Sequence, residues 1–251
     1  VKEYKRRYPN KIQLFLNNRK NVIYINGQPT GRWNFINLLK HAEGKYIALC
    51  EGDDYWIKPD KLQRQVDFLE NNPGFVLCCH DYFVKYEGYN ITDHRNKKPL
   101  PKISDLPYLL KYHHIATCSV VFRNGLIKDF PSWYYKSVSA DWPLYIMLAQ
   151  YGKVYCIKGV MSVHRIHRGG IHRNNVDWDT KKWINVHKNN IFVYEELKYF
   201  LNGKYRNLIN EQLFSRSFQV LIVCFKNMYY SDFLKYAFKF LRYKLELLLK
   251  P

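Results

Sequence analysis

Residues 46–56, Tyr-Ile-Ala-Leu-Cys-Glu-Gly-Asp-Asp-Tyr-Trp, decide how this chain is read. The run Tyr46–Cys50 is short and almost wholly apolar, as in a strand covered on both faces, and suits the centre of a sheet. Three carboxylates, Glu51, Asp53 and Asp54, follow within four positions. Like charges this close repel unless a cation or a hydrogen-bond network holds them. Carboxylates are hard oxygen ligands suited to Mg²⁺, Mn²⁺ or Ca²⁺, and a small set leaves coordination positions open for phosphate oxygens. The competing reading is a solvated acidic turn capping the helix that opens near Pro59. The ligand spacing of an EF-hand loop is absent.

Outward from this stretch, strand-like and helix-like segments alternate from Ile12 to Val84, the signature of an α/β architecture. Ile12–Phe15 and Val22–Ile25 read as strands, and Trp33–Ala42 as a helix stopped by Gly44. Pro59 opens a helix with Leu62, Val66 and Leu69 on one face, and Phe75–Val84 is the next strand. Residues 85–112 are polar and Pro-containing and read as loop. Ile115–Arg123 reads as a strand, Asp141–Tyr151 as a helix ending at Gly152, and Lys153–His167 as two short strands. From about Asp177 the chain is aromatic, basic and helical to its end. There Phe233, Tyr236, Ala237, Phe240, Leu241, Leu245 and Leu248 follow helical spacing, with Lys235, Lys239 and Arg242 mostly off that stripe. No internal repeat is visible.

A chain of 251 residues with 47% hydrophobic content can bury a full core, and the expectation is one large domain with an appendage. The net charge of +19 attracts polyanions: nucleic acid, anionic lipid headgroups or phosphate-bearing substrates. A biased Lys-, Asn- and Tyr-rich composition is the plainer explanation. Six cysteines without a CxxC, several inside apolar runs, read as buried thiols of a reducing compartment rather than a zinc site or disulfide scaffold. No signal peptide is recognisable, and the apolar run Val220–Phe225 is far too short to span a bilayer. A cytoplasmic protein is expected. The chain opens without Met on what reads as a helix end, so a missing N-terminal piece is expected.

Two further motifs carry chemistry. Asp141 opens a helix, where it is either a cap or a general base kept ionised by the helix dipole. In His-Arg-Ile-His-Arg-Gly-Gly-Ile-His-Arg (164–173), His164, His167 and His172 alternate with Arg165, Arg168 and Arg173. Imidazole is a metal ligand and arginine a bidentate phosphate partner, although a basic surface loop would look the same. GxSxG, GxxxxGK[ST] and GxGxxG are absent, which removes the nucleophile-elbow, P-loop and Rossmann readings. An acidic cluster, a distant base and an Arg/His segment together fit group transfer from a diphosphate-bearing donor.

The stretch Ala42–Pro73 strongly resembles the family 2 glycosyltransferases of the GT-A fold, in the pattern A-x-G-x-Y-I-x-x-x-D-x-D-D followed by a Pro-Asp-Lys-Leu helix start. The resemblance implies that Glu51, Asp53 and Asp54 stand where that family binds a divalent cation, Mg²⁺ or Mn²⁺, and the sugar-nucleotide diphosphate. Glu51 replaces the commoner Asp. Gly31–Phe35 is similar to the segment whose Asn, here Asn34, lies near the nucleotide, and Ile115–Arg123 to the strand before the acceptor side. Asp141 matches the family's base, with Ala140 replacing its usual Glu neighbour. His164–Gly170 resembles the Tyr-Arg-x-His-x-Gly-Gly motif, which carries Arg165 to the diphosphate and His167 to the metal. The expected metal set is therefore Asp53, Asp54 and His167, with Asn34, Glu51, Asp53 and Arg165 on the donor.

The resemblance covers residues 1–175, so the expected division is a partial GT-A catalytic domain at 1–176 and a helical extension at 177–251. The family's opening strand and later Asp-Asp-Gly-Ser are not found, which implies an N-terminally truncated pocket and weaker donor binding by the chain as it stands. The implied activity is inverting sugar transfer to a glycan or lipid-linked acceptor in cell-surface polysaccharide or glycan biosynthesis. The extension is either a helical cap or a platform that meets anionic membrane. Two other classes compete. One is a catalytically degenerate scaffold. The other is a basic nucleic-acid-binding module, disfavoured because the acidic trio repels a phosphate backbone.

Overall fold

The computed structural model describes residues 1–88, 94–95, 101–113, 115–169 and 180–249. The chain forms two compact units, Val1–Glu43 and Gly44–Pro251. In the first, α1 (Lys2–Arg7) precedes a hairpin of β1 (Ile23–Ile25) and β2 (Gln28–Thr30), and α2 (Arg32–Lys40) follows. Asn26 and Gly27 both have positive φ, 52° and 75°, which a two-residue hairpin turn requires and which matches the twist of its strands. The strand expected at Ile12–Phe15 does not form. Phe15 instead packs on the His41 ring at 4.8 Å, and without a partner strand an apolar run makes no ladder.

The second unit is built on a mixed sheet of seven strands. These are β3 (Tyr46–Ala48), β4 (Tyr55–Trp56), β5 (Phe75–Glu87), β6 (His94–Arg95), β7 (Ile103–Ser104), β8 (Val121–Arg123) and β9 (Lys153–His167). The order is β3-β8-β5-β9-β4, with β6 beside β5 and β7 beside β9. Only the β5–β9 pair is parallel among these pairings. Helices α3 (Lys61–Asn71), α4 (Leu106–Lys111) and α5 (Asp141–Leu148) accompany the sheet, and α6 (Thr180–Phe200), α7 (Arg206–Lys226) and α8 (Tyr230–Leu248) complete the unit.

The parallel pair forms where the sequence is most continuously apolar. Val76–Cys79 is fully buried, as expected for strands covered on both faces. Lys153–His167 is one strand and not two. Lys158 and Gly159 are extra residues in its register against β5, and Gly159, at φ 121°, bends the strand without ending it. Gly152 marks a close approach: a Cβ there would lie 2.7 Å from the Gly74 carbonyl oxygen and 2.8 Å from Val76. β3 is at the end of the sheet, paired with β8 alone among the described residues, and its residues are half-buried. The expectation of a central strand fails because apolarity reports cover, whereas position depends on which strands are adjacent.

Buried polar side chains tie the layers together. Gln65, wholly buried on α3, donates to the carbonyls of Cys78 (2.8 Å) and Ser119 (2.9 Å) and accepts from the buried Lys61 amine at 2.9 Å. Arg123 donates to the carbonyls of Phe75 and Leu69, fastening β8 to the end of α3. Within Ile115–Arg123 only the last three residues are strand, and Thr117–Ser119 is a 3-10 turn. The segment read as loop contains α4, capped by Asp105, whose side chain accepts the Tyr108 N–H at 3.0 Å. Of the six free cysteines five are buried as expected, and Cys50 is exposed.

The C-terminal helices pack onto this unit. Asn189 of α6 accepts the Val138 N–H (2.7 Å) and donates to the Lys136 carbonyl (2.8 Å), so it holds the segment leading to Asp141. The single apolar stripe expected on the last helix is in fact two faces. Tyr236 and Tyr243 are buried, whereas Leu241, Leu245 and Leu248 point to solvent. No helix among the described residues is long and apolar enough to cross a membrane.

Candidate active site

The site lies at the C-terminal ends of the two parallel strands, where Glu87 closes β5 opposite His167 of β9. β4 pairs antiparallel with β9, Tyr55 against Val163, and this places the acidic turn beside His164–His167. Asp54, whose side chain is 1% exposed, accepts the Arg165 backbone N–H at 2.9 Å and lies 3.2 Å from His164 Nδ1 through both oxygens. Glu51, Asp54 and His164 each present a ligand atom within 4.8 Å of one another.

The expected metal set was Asp53, Asp54 and His167, and the structure distributes these residues differently. Side chains three apart on a strand point to opposite faces, so His164 and His167 cannot share one. His164 meets Asp54 and Glu51, while His167 Nε2 meets Asp53 at 3.3 Å. Arg165 shares the His167 side. Its Nη1 donates to the Asp53 carbonyl at 3.0 Å, and its Nε and Nη2 donate to the two oxygens of Glu87 at 3.0 and 2.5 Å. Asp141 begins α5, accepting the Trp142 N–H at 2.8 Å and a 3.4 Å hydrogen bond from Thr117 Oγ1. Asn34 belongs to the first compact unit, exposed on α2, where its Oδ1 accepts from Asn17 at 2.8 Å. His172 and Arg173 lie outside the described residues.

The electrostatics follow from this arrangement. Partial burial of its carboxyl raises Glu51 to about 7, with the charges of Asp141, Asp54 and Asp53 adding to the effect, although the residue as a whole is exposed. Burial also pushes Asp54 up, but hydrogen bonds from His164 and the Arg165 amide outweigh it and leave the carboxyl below its ordinary range. Burial lowers His164, and its bond to Asp54 more than restores it, so its pKa is raised. The Arg165 clasp depresses Glu87 to about 2.

Two carboxylates and an imidazole, in a cluster where burial and then the neighbouring carboxylates raise Glu51, fit a divalent cation such as Mg²⁺ or Mn²⁺. Sequence reasoning missed Glu87, which falls in a segment without a motif, and Thr117, which lies in a segment read only as a strand. The signal that could have found His164 is the alternation of faces along an extended His-x-x-His.

Residues 6–130 match the family model described as glycosyl transferase family 2. The uncharacterized protein Rv1520 of Mycobacterium tuberculosis is 33% identical over 192 residues, which is 72% of this chain and 51% of the relative. The uncharacterized protein Mb1547 of Mycobacterium bovis matches to the same extent. The UDP-Glc:alpha-D-GlcNAc-diphosphoundecaprenol beta-1,3-glucosyltransferase WfaP of Escherichia coli is 28% identical over 139 residues, 54% of this chain and 51% of the relative. The chain spans about half the length of the curated relatives it matches.

Proposed function

Since the chain belongs to glycosyl transferase family 2, and so has the GT-A fold, we propose that it moves a sugar from a nucleotide-diphosphate donor onto an acceptor hydroxyl. The transfer inverts the anomeric carbon by direct displacement. Asp141, oriented by Thr117 and the Trp142 amide, takes the proton of the attacking hydroxyl on its carboxylate. Arg165, aligned by Glu87 and the Asp53 carbonyl, steadies the diphosphate oxygens together with His167. Glu51, Asp54 and His164 hold Mg²⁺ or Mn²⁺, with Asp53 beside them. When bound, the cation offsets charge developing on the leaving diphosphate.

The observation that carries this reading is the convergence of Glu51, Asp54 and His164, close enough to Asp141 for its charge to raise Glu51. The activity for which the Escherichia coli relative is named, on a diphosphoundecaprenol-linked sugar, supports a lipid-linked or glycan acceptor for this chain. Such an acceptor places the protein at the inner face of a membrane, with 177–251 as the extension that meets it and 1–176 as the catalytic part. Asp141→Asn should abolish transfer while Mn²⁺-dependent donor binding, read by calorimetry, stays within about threefold of wild type. Loss of donor binding together with activity would make Asp141 structural and sink the assignment.

A further inference from the structure

We infer that the outward face of α8 is a docking surface for an anionic lipid bilayer; for its class of partner alone, this rests on the membrane-side reading above. The helix carries apolar residues on two opposite faces. The inner one is satisfied: Tyr236 and Tyr243 are buried, Phe240 stacks on Phe214 at 4.7 Å, and Phe233 meets Phe225 at 5.7 Å. The outer one is not. Tyr230, Leu234, Phe238, Leu241, Leu245 and Leu248 are each 53–74% exposed. At 3.6 residues per turn these positions fall within an arc of about 80° and run for about 27 Å. A surface helix ordinarily turns charged residues to solvent opposite its buried face.

Charge decides between occupants. Lys235 and Arg242 border one edge of the stripe and Lys244 the other, by their helical positions. Lys235 and Lys244 have no ion pair among the described residues, while Arg242 keeps one with Glu246. A second copy docked face to face would bring these lysine rows together. An anionic bilayer neutralises them while its acyl boundary covers the leucines and phenylalanine. Spanning is not available to this helix, so it lies on the surface.

The test is co-sedimentation of the whole chain with vesicles of phosphatidylcholine alone or with phosphatidylglycerol added. Binding should need phosphatidylglycerol and weaken as salt rises. Lys235→Gln with Lys244→Gln should weaken it about fivefold per charge, and Leu234→Ser with Phe238→Ser and Leu245→Ser at least about tenfold. Equal binding by wild type and the serine variant overturns the inference. A wild-type dimer that the serine variant converts to monomer, with vesicle binding unchanged, overturns it as well. Should the serine variant fail to fold, the lysine pair decides, and an unchanged preference for phosphatidylglycerol refutes docking. Release of nucleotide diphosphate from the donor is measured in parallel. Lost vesicle binding with intact release refutes docking alone, and the reverse refutes the transfer reading alone.

Discussion

Glu51 and Asp54 belong to one acidic turn, closed by the Asp54 N–H donating to the Glu51 carbonyl at 3.1 Å, yet their carboxyls are held in opposite ways. Asp54 has an amide and an imidazole to satisfy its charge, whereas Glu51 meets burial and three like charges. The unfolded Glu51 loses its proton near 4.5, but the folded one keeps it to about 7. Between these values the folded state binds more protons, so stability falls as pH rises, and the whole penalty is present above pH 7. Glu51→Gln should therefore raise the melting temperature of the metal-free protein at pH 8 and weaken Mn²⁺ binding at least about tenfold. Differential scanning fluorimetry and calorimetry read the two effects. An unchanged melting temperature would show that the ionised Glu51 carries no penalty from burial or from its neighbours. The acidic trio was legible in the sequence because charge density needs no context. Its imidazole partner was not, since the choice of His164 over His167 depends on which face of β9 meets β4.

At the scale of elements, the site depends on the parallel β5–β9 pair and on what locks α3 to it. Gln65 is the only side chain among those described that donates to both the Cys78 and Ser119 carbonyls, one on β5 and one in the turn before β8. Gln65→Leu fills a similar volume but leaves these two acceptors and the Lys61 amine without their partner. It should cost about 2–4 kcal/mol in chemical denaturation, since each buried unsatisfied group costs about 1–3 kcal/mol. A loss under about 0.5 kcal/mol would mean that water or rearrangement replaces these bonds. Periodicity located α3, α5 and β5 because each buries one face or all of itself. It missed α4, whose Asp105 cap sits in a polar stretch, and it read β9 as two strands, because composition cannot tell the bulge at Gly159 from a strand end.

Across the whole molecule, two histidines far apart in sequence contribute to the response to acid. Burial depresses both His80, wholly enclosed on β5, and His187 on α6 to about 4. Between about 4 and 6.5 the unfolded chain takes protons at these two positions that the native one refuses, so their joint contribution to stability rises with pH across that window, against the opposite contribution of the single Glu51, and their penalty is absent above it. For His80 the shift corresponds to about 3 kcal/mol at the acid end. Urea unfolding measured from pH 7 to 4 should show the decline, and His80→Asn should flatten its slope. An equal slope in the variant would place the acid sensitivity elsewhere. The same scale explains why the C-terminal helices are more than an appendage: Asn189 in α6 holds the backbone that leads to Asp141.

The α/β class, the family, the acidic turn and the Arg/His strand are legible in the sequence, because each is a local pattern of residue types with its own chemistry. Only the tertiary structure decided that His164 and not His167 joins Glu51 and Asp54, that Glu87 clasps Arg165, and that the last helix has an unsatisfied outer face. Those outcomes depend on which strand lies beside which and which helix face is already covered. Strand pairing and burial join residues far apart along the chain, and a linear pattern does not carry that pairing.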